Sequence, residues 1–160
     1  MEANMANVNH SALTDPYLHE PKGVATAAAG KVYVSNGSGS GTWTTKESLV
    51  ELSLEGYIEN ISSASTVYVP IPFAGTVVKV VTVLEGSIGS SDATITVKNA
   101  AAASMGTIAV TQAGSAAGDV DTLVPSSNNT VVADSFITIA TDGASVNTAA
   151  LRFVVIVDRT

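Results

Sequence analysis

Histidine is the side chain that most often moves protons near neutral pH, and this chain of 160 residues contains two of them. His10 and His19 both lie among residues 1–45, where no regular hydrophobic period indicates a scaffold that could position a partner group. The chain has no cysteine, which excludes a thiolate nucleophile, a thiolate zinc site and a disulfide framework. We therefore predict no catalytic residues, no cofactor and no enzymatic activity.

The carboxylates could instead hold a metal ion. Asp119 and Asp121, with Asn128 and Asn129 downstream, supply the oxygen ligands that calcium prefers. The spacing matches only the start of a calcium-binding loop, because the later ligands of that pattern are missing. A polar loop solvated by two aspartates is the simpler interpretation, so we predict no metal site. An ion held by the two aspartates is the alternative.

Two repetitive stretches have structural rather than chemical interpretations. Residues 36–41 contain alternating glycines and serines, but no lysine of the phosphate-binding type follows them. Glutamates recur every fourth residue at Glu47, Glu51, Glu55 and Glu59. On a helix these like charges would repel one another. On a strand that is broken at Gly56, Glu47, Glu51 and Glu55 share one polar face that opposes edge-to-edge pairing. We predict a strand here, with a helix over residues 47–59 as the competing interpretation.

Charged residues are scarce, which excludes some classes of binding partner. Seven basic residues face fourteen acidic ones, for a net charge of −7, and charged residues are 13% of the chain against a usual share of roughly 25%. Binding to nucleic acid requires clustered lysines and arginines, so that partner is excluded. No apolar run approaches the roughly 18 residues of a membrane helix. The polar residues 1–10 do not have the pattern of a secretory signal.

The chain divides by pattern into two parts. Residues 1–45 show no sustained periodicity, which predicts an extended N-terminal arm. Residues 46–160 contain about eight short apolar stretches separated by turn residues, which is the spacing of an antiparallel β-sandwich or jelly roll. No helical segments alternate with these strands, which excludes a parallel α/β sheet. The predicted fold class is all-β, an antiparallel β-sandwich or jelly-roll-like domain preceded by the arm.

The strongest strand signals lie between residues 51 and 84. Leu52 and Leu54 alternate with polar residues, as in a half-buried strand. Residues 67–73 contain two prolines that remove ladder donors, so this segment is predicted to be an edge strand or an extended strand end. Residues 75–84 are nearly continuously apolar, as in a strand covered on both faces. Further strands are predicted at residues 93–98, 106–111, 130–132, 135–140 and 151–157, and a long polar loop at 112–129.

The arm carries large side chains that free linkers rarely have. Because aromatic residues dominate interface energetics, Tyr33 and Trp43 are predicted to anchor a contact with a partner. The alternative is that both cap the sandwich of their own chain. The full set of predicted partner-binding residues is Tyr17, Leu18, His19, Pro21, Lys22, Tyr33 and Trp43.

Several short motifs occur in both parts of the chain. In the arm they are LTDPYLHEPKG at residues 13–23, GKVYV at 30–34 and GSGTW at 39–43. In the second part they are YVPIPFAGTV at 68–77, GSAAGDVD at 114–121 and NNTV at 128–131. These motifs resemble those of small capsid decoration proteins (cement or head-fibre proteins) of tailed bacteriophages. The chain departs from the family pattern at one turn, where Ala133-Asp134 stands in place of Gly-Asp.

The resemblance implies a non-catalytic structural protein of the virion, made in the host cytoplasm and located on the capsid exterior. It implies a homotrimer whose arm binds the major capsid protein and whose sandwich projects outward. The alternative function is a head- or tail-fibre module that binds a glycan or receptor on the host cell, with the loop at residues 112–129 as the place to look. A jelly-roll enzyme is disfavoured because residues 46–160 contain no histidine for a metal centre.

Overall fold

A computed structural model describes residues 26–38, 40–46 and 51–159 of the chain. The chain separates into two compact units, Met1–Lys46 and Glu47–Thr160. The described part of the first unit contains a two-stranded hairpin, and the second unit contains two larger sheets.

The hairpin consists of β1 (Lys31–Ser35) and β2 (Gly41–Thr45), which pair antiparallel. Valine, threonine and aromatic residues favour strands in both segments. The Asn36 side chain closes the turn by accepting hydrogen bonds from the backbone N–H groups of Ser38 and Ser40 at 2.9 and 3.1 Å. The hairpin is regular structure that the sequence pattern did not reveal within the predicted arm, because an asparagine-centred turn lets two short strands pair across the glycine-serine stretch.

The second unit contains nine strands and no helix within residues 51–159. They are β3 (Glu51–Ile58), β4 (Ser65–Ile71), β5 (Gly75–Leu84), β6 (Ala93–Asn99), β7 (Ser104–Val110), β8 (Val120–Leu123), β9 (Thr130–Val131), β10 (Ser135–Thr141) and β11 (Leu151–Arg159). The strand prediction around Leu52 and Leu54 is confirmed.

These strands form two sheets in a jelly-roll order. One sheet, called the β3 sheet, has the order β3-β11-β5-β8, with the short β9 also paired to β5. The other, called the β4 sheet, has the order β4-β10-β6-β7. Along the chain, successive strands alternate between the two sheets, as in a jelly roll. The exceptions are β7, which pairs with the preceding β6, and the short β9, which is in the same sheet as β8. The prediction of an all-β, antiparallel sandwich is confirmed.

The core lies between the inward faces of the two sheets. Alternate side chains of each strand point inward, as the period of two requires. The β3 sheet contributes mainly Val77, Val80, Leu84, Leu151, Phe153, Val155 and Val157, and the β4 sheet Val69, Ile71, Ile95, Val97, Ile108, Val110, Ile137 and Ile139. The outward valines Val81 and Val83 of β5 are half-buried. The prediction that β5 is covered on both faces is therefore wrong for the residues that the structure describes, which leave its outward face half-buried.

Strand β4 lies at the edge of its sheet, as its prolines predicted. Pro70 lies opposite Phe136 of β10, and Pro72 follows the end of the strand. Because proline has no backbone N–H, this edge offers fewer donors to a strand from another chain.

Gly56 allows the largest core side chain to lie against β3. Phe153 of β11 is directly opposite Gly56 in the strand register. A Cβ at residue 56 would collide with the Phe153 ring. Since Phe153 is only 1% exposed, the ring cannot move aside without disturbing the close-packed core.

The loop predicted at residues 112–129 contains a strand that the sequence pattern did not reveal. Strand β8 pairs with β5 from Val83 opposite Val120 to Val80 opposite Leu123. Just before it, the Gly118 backbone N–H donates to the Leu84 carbonyl at 2.8 Å. A four-residue strand is too short to establish a period of its own, so its partner strand determines it.

We predict that Gly56→Ala destabilises the fold by about 1–3 kcal/mol, the usual cost of forcing extra atoms into a packed core. Guanidinium denaturation followed by circular dichroism measures the change. Gly86→Ala is the matched control, because an added Cβ there would meet the Ala149 Cβ at an ordinary 3.6 Å. The control is expected to change stability by less than about 0.5 kcal/mol. Equal effects of the two substitutions would contradict the packing role of Gly56.

Candidate functional site

The two aromatic residues predicted as anchors lie opposite each other in the hairpin. Tyr33 and Trp43 are paired in the register. Their ring centroids are 5.2 Å apart with the planes at 63°, an edge-to-face contact. No residue of β1 or β2 is fully buried. The remaining predicted partner-binding residues, Tyr17, Leu18, His19, Pro21 and Lys22, lie outside the described residues, as does His10.

The acidic pair Asp119 and Asp121 lies at the start of β8. The Asp119 carboxylate accepts a 2.7 Å hydrogen bond from the Ala116 backbone N–H, which closes the preceding turn. Burial, and secondarily repulsion from Asp119, raises the pKa of the Asp121 carboxyl. The charge on Asp121 is therefore mildly unfavourable in the fold at neutral pH.

The two asparagines downstream of the acidic pair contact the sandwich through their side-chain N–H groups. Asn128 donates its side-chain N–H to the Ser104 carbonyl at 2.8 Å. Asn129 donates to the Val77 carbonyl at 3.0 Å. Both amides fasten the loop before β9 to the sandwich. Among the residues that the structure describes, no group of three or more His, Cys, Asp or Glu side chains could hold a metal ion.

Asp142 follows β10 and ties neighbouring segments together. Its carboxylate accepts hydrogen bonds from the backbone N–H groups of Thr94 and Ala144 at 3.1 and 3.0 Å. Desolvation raises the pKa of Asp142, but these hydrogen bonds to the charged form outweigh it and hold the pKa below its usual value. Asp142 and Gly143 do not close a hairpin, since β10 and β11 belong to different sheets.

The outward face of the β3 sheet is aliphatic at its centre. Val81 of β5 lies opposite Val154 of β11, and Val83 and Ile156 stand on the neighbouring rows. All four side chains are half-buried. Antiparallel sheets usually present polar side chains to water on such a face. The apolar centre is therefore a candidate contact surface.

A polar cluster stands at one end of this face. The Arg152 guanidinium forms an ion pair with Glu85 and lies 5.2 Å from the centroid of the Tyr57 ring. Tyr57 is 43% exposed. Exposed ion pairs and cation–π contacts are each worth about 1 kcal/mol or less, so the cluster contributes local order more than stability.

The outward face of the β4 sheet carries a second aromatic pair, which the sequence analysis did not identify. The rings of Tyr68 and Phe136 have centroids 5.3 Å apart and planes at 63°. Tyr68 is 65% exposed and Phe136 38%. The β4–β10 register brings them together, with Phe136 opposite Pro70 and Tyr68 opposite Thr138. No local pattern could have linked two residues so far apart in the chain.

A shallow cavity of about 180 Å³ adjoins this pair. Phe136 forms part of its wall, together with Val132, which is 64% exposed. The other lining residues are Asn99, Ala100, Ala101, Thr130, Val131 and Ser135. We call the rings of Tyr68 and Phe136, with Val132 and this cavity, the aromatic corner.

No protein-family model and no curated protein matches the chain. The resemblance to phage decoration proteins therefore stays a prediction. Within residues 26–38, 40–46 and 51–159, no helix is long and apolar enough to cross a membrane.

We predict that Asp142→Asn and Asp121→Asn change stability in opposite directions at pH 7. The pKa of Asp142 is lower in the folded state than in the unfolded state, so the charged carboxylate stabilises the fold. This stabilisation is fully present when the pH is above the unfolded-state pKa, and it is lost as the pH falls through the folded-state pKa. Asp142→Asn therefore destabilises at neutral pH, by less than about 1 kcal/mol, because Asp142 is exposed and solvent weakens these hydrogen bonds. The raised pKa of Asp121 opposes folding above the folded-state value, so Asp121→Asn slightly stabilises there.

Urea unfolding of both variants and the parent chain between pH 7 and pH 2 measures these effects, and each variant is the control for the other. Both differences from the parent should shrink as the pH falls and the carboxyls become protonated in both states. Effects of the same sign at pH 7 would contradict the assigned causes of the two shifts.

Proposed function

We propose that this protein is a non-catalytic structural protein of a virion, bound to the outside of a bacteriophage capsid through its N-terminal arm. The sequence motifs in both parts of the chain support the proposal. The observation that carries it is the aromatic hairpin: a two-stranded sheet is at best marginally stable in water, and no residue of β1 or β2 is fully buried. Such a unit is stabilised by packing against a surface, and the major capsid protein is the surface we propose.

The division of charge supports the same arrangement. Residues 1–45 contain two basic and three acidic residues, a net −1, whereas residues 46–160 contain five basic and eleven acidic residues, a net −6. Burying a charge at an interface carries a desolvation penalty unless it is paired. A nearly neutral arm is therefore suited to lie against another protein, and the acidic sandwich is suited to project into solvent, where like charge opposes particle association.

A homotrimer fits the exposed surfaces of the sandwich. The half-buried Val81, Val83, Val154 and Ile156 form an apolar centre on the outward face of the β3 sheet. Contacts between subunits in a closed ring would cover such a face. Three linked arms would also multiply weak individual contacts with the capsid lattice, because later attachments become intramolecular.

We predict that deleting residues 1–45 abolishes capsid binding and leaves the sandwich folded, because Glu47–Thr160 is a compact unit of its own. Co-sedimentation with capsids of the encoding phage that lack this protein measures binding, and circular dichroism checks the fold. Trp43→Ala in the full chain should weaken binding about tenfold or more, as for an aromatic anchor. Tyr68→Ala is the matched control, because Tyr68 is an exposed aromatic residue of the other sheet and lies neither on the arm nor on the proposed trimer face. Undiminished binding by the truncated chain would contradict the role of the arm.

We predict a native mass of three times the 16.1 kDa chain, measured by native mass spectrometry of the purified protein. Val154→Glu places a charge at the centre of the apolar face and should yield lower oligomers, since an unpaired charge is costly to bury. Thr107→Glu is the control, because Thr107 is exposed on the β4 sheet. A single-chain mass for the parent protein at micromolar concentration would refute the trimer.

A further inference from the structure

The aromatic corner exposes more apolar ring surface than the fold requires. Tyr68 and Phe136 lie on the outward face of the β4 sheet and stay 65% and 38% exposed. Aromatic side chains bury about 150–250 Å² each when they are covered, so an exposed pair leaves a large contact area unused. With their planes at 63°, the two rings form an angled recess instead of a flat stack.

Hydrogen bonds hold the wall of the adjoining cavity rigid. The Asn99 side-chain oxygen accepts from the backbone N–H groups of Ala101 and Ala103 at 3.1 and 3.0 Å. The Asn99 side-chain N–H donates to the Asn128 carbonyl at 3.1 Å. Asn128 in turn donates to the Ser104 carbonyl. These bonds fasten the β6–β7 turn to the loop before β9, and a preformed cavity lowers the entropy cost of binding.

Three residues around the same corner have left-handed backbone conformations that residues other than glycine seldom adopt. They are Ala102 with φ of 61°, Asn128 with φ of 56° and Asp134 with φ of 55°. Such conformations persist only where the surroundings impose them, and they cluster at binding sites. Asparagine and aspartate adopt this conformation more readily than other residues, so the cost in stability falls mainly on Ala102, and Ser90 and Asn147 adopt it in other loops.

The charge of the β4 sheet complements an uncharged polar ligand. Its four strands contain no carboxylate and one cation, Lys98, in a chain of net charge −7, and the carboxylate at the corner itself is that of Asp134, just before β10. In the strand register, Thr138 is paired with Tyr68 on one side and with Lys98 on the other. The Tyr68 ring, the Thr138 hydroxyl and the Lys98 ammonium group therefore lie in one row across the same face of the sheet. Thr130 and Ser135 add hydroxyls at the cavity. Together these groups can donate to and accept from ligand hydroxyls.

We propose that the aromatic corner binds a neutral saccharide. A pyranose ring has an apolar face of C–H groups and a rim of hydroxyls. The C–H groups carry slight positive charge, which the negative face of an aromatic ring attracts. Thr130, Ser135 and Thr138 are placed to meet the hydroxyls. The site does not depend on capsid attachment, because it lies on the sandwich and not on the arm.

The size of the corner favours a sugar over a protein partner. A stable protein interface buries about 1,200–2,000 Å², whereas the exposed apolar groups here form one corner of a face that is otherwise rich in threonine and alanine. The cavity of about 180 Å³ is smaller than the roughly 300–1,000 Å³ of sites for drug-sized ligands. It therefore suits one ring of a longer chain that continues across the open sheet face.

The test is the binding of cellohexaose and chitohexaose to the full chain, measured by saturation-transfer NMR and titration calorimetry. Both probes are neutral chains of β-linked rings with flat C–H faces. We expect at least one to bind, and Tyr68→Ala and Phe136→Ala each to weaken that binding about tenfold, the effect of losing one stacked ring. Tyr57→Ala removes an exposed ring from the other sheet and should leave the affinity unchanged.

Failure of both probes to bind, or equal affinity of the parent chain and Tyr68→Ala, overturns the proposal. A drop in native mass on Tyr68→Ala with unchanged sugar binding also overturns it, because the corner is then a subunit interface. Circular dichroism checks that each variant folds, and Tyr68→Thr, which suits a strand, replaces Tyr68→Ala if that variant unfolds. Capsid co-sedimentation of the same variants is a separate measurement, so failure of the sugar site and failure of the capsid proposal are distinguishable.

Discussion

The sandwich depends on β11, the strand that joins β3 to β5. It lies between them in the sheet, and its inward side chains Leu151, Phe153, Val155 and Val157 are all buried. Strands β3 and β5 therefore have no common register until β11 has paired with both. Such pairing joins residues far apart in the sequence, which makes folding slow because the loop-closure entropy is lost before the contacts form. The contact of Phe153 with Gly56 belongs to this constraint, since the largest core ring fits only where β3 has no side chain.

Once β11 determines which side chains point inward, it also determines which ones face outward. A shift of one residue in register would exchange the two sets, so the core and the surface are specified together. The aliphatic centre of the β3 sheet follows from the pairing of β11, and the aromatic corner of the β4 sheet follows from the separate pairing of β4 with β10. Because both lie on the outward faces of rigid strands, neither contributes to the core, and both are available for contacts with other molecules.

Strands with a long hydrophobic pattern or a distinctive local residue could be predicted from the sequence, whereas short strands that depend on the strand they pair with could not. The apolar run of β5 and the prolines of β4 identified a strand and an edge correctly, because both signals are local. Strand β8 and the hairpin were missed, since strands of four or five residues are determined by what they pair with. The contact between Tyr68 and Phe136 needs the β4–β10 register, which no single segment contains. The predicted anchors Tyr33 and Trp43 were found from residue type alone, but their mutual contact again required pairing.

The few charged side chains of the sandwich are distributed unevenly between its two sheets. Within residues 51–159, every carboxylate that lies in a strand belongs to the β3 sheet. These carboxylates are on Glu51, Glu55, Asp121 and Asp158. Two of the four sheet edges, those formed by β3 and β4, are protected in different ways, the first by glutamates and the second by proline. Because proline protects β4 without adding charge, the β4 sheet keeps a face on which hydroxyls and aromatic rings are not surrounded by repelling carboxylates. An uncharged edge of this kind is what allows an acidic protein to retain one nearly neutral surface, and the aromatic corner lies on that surface.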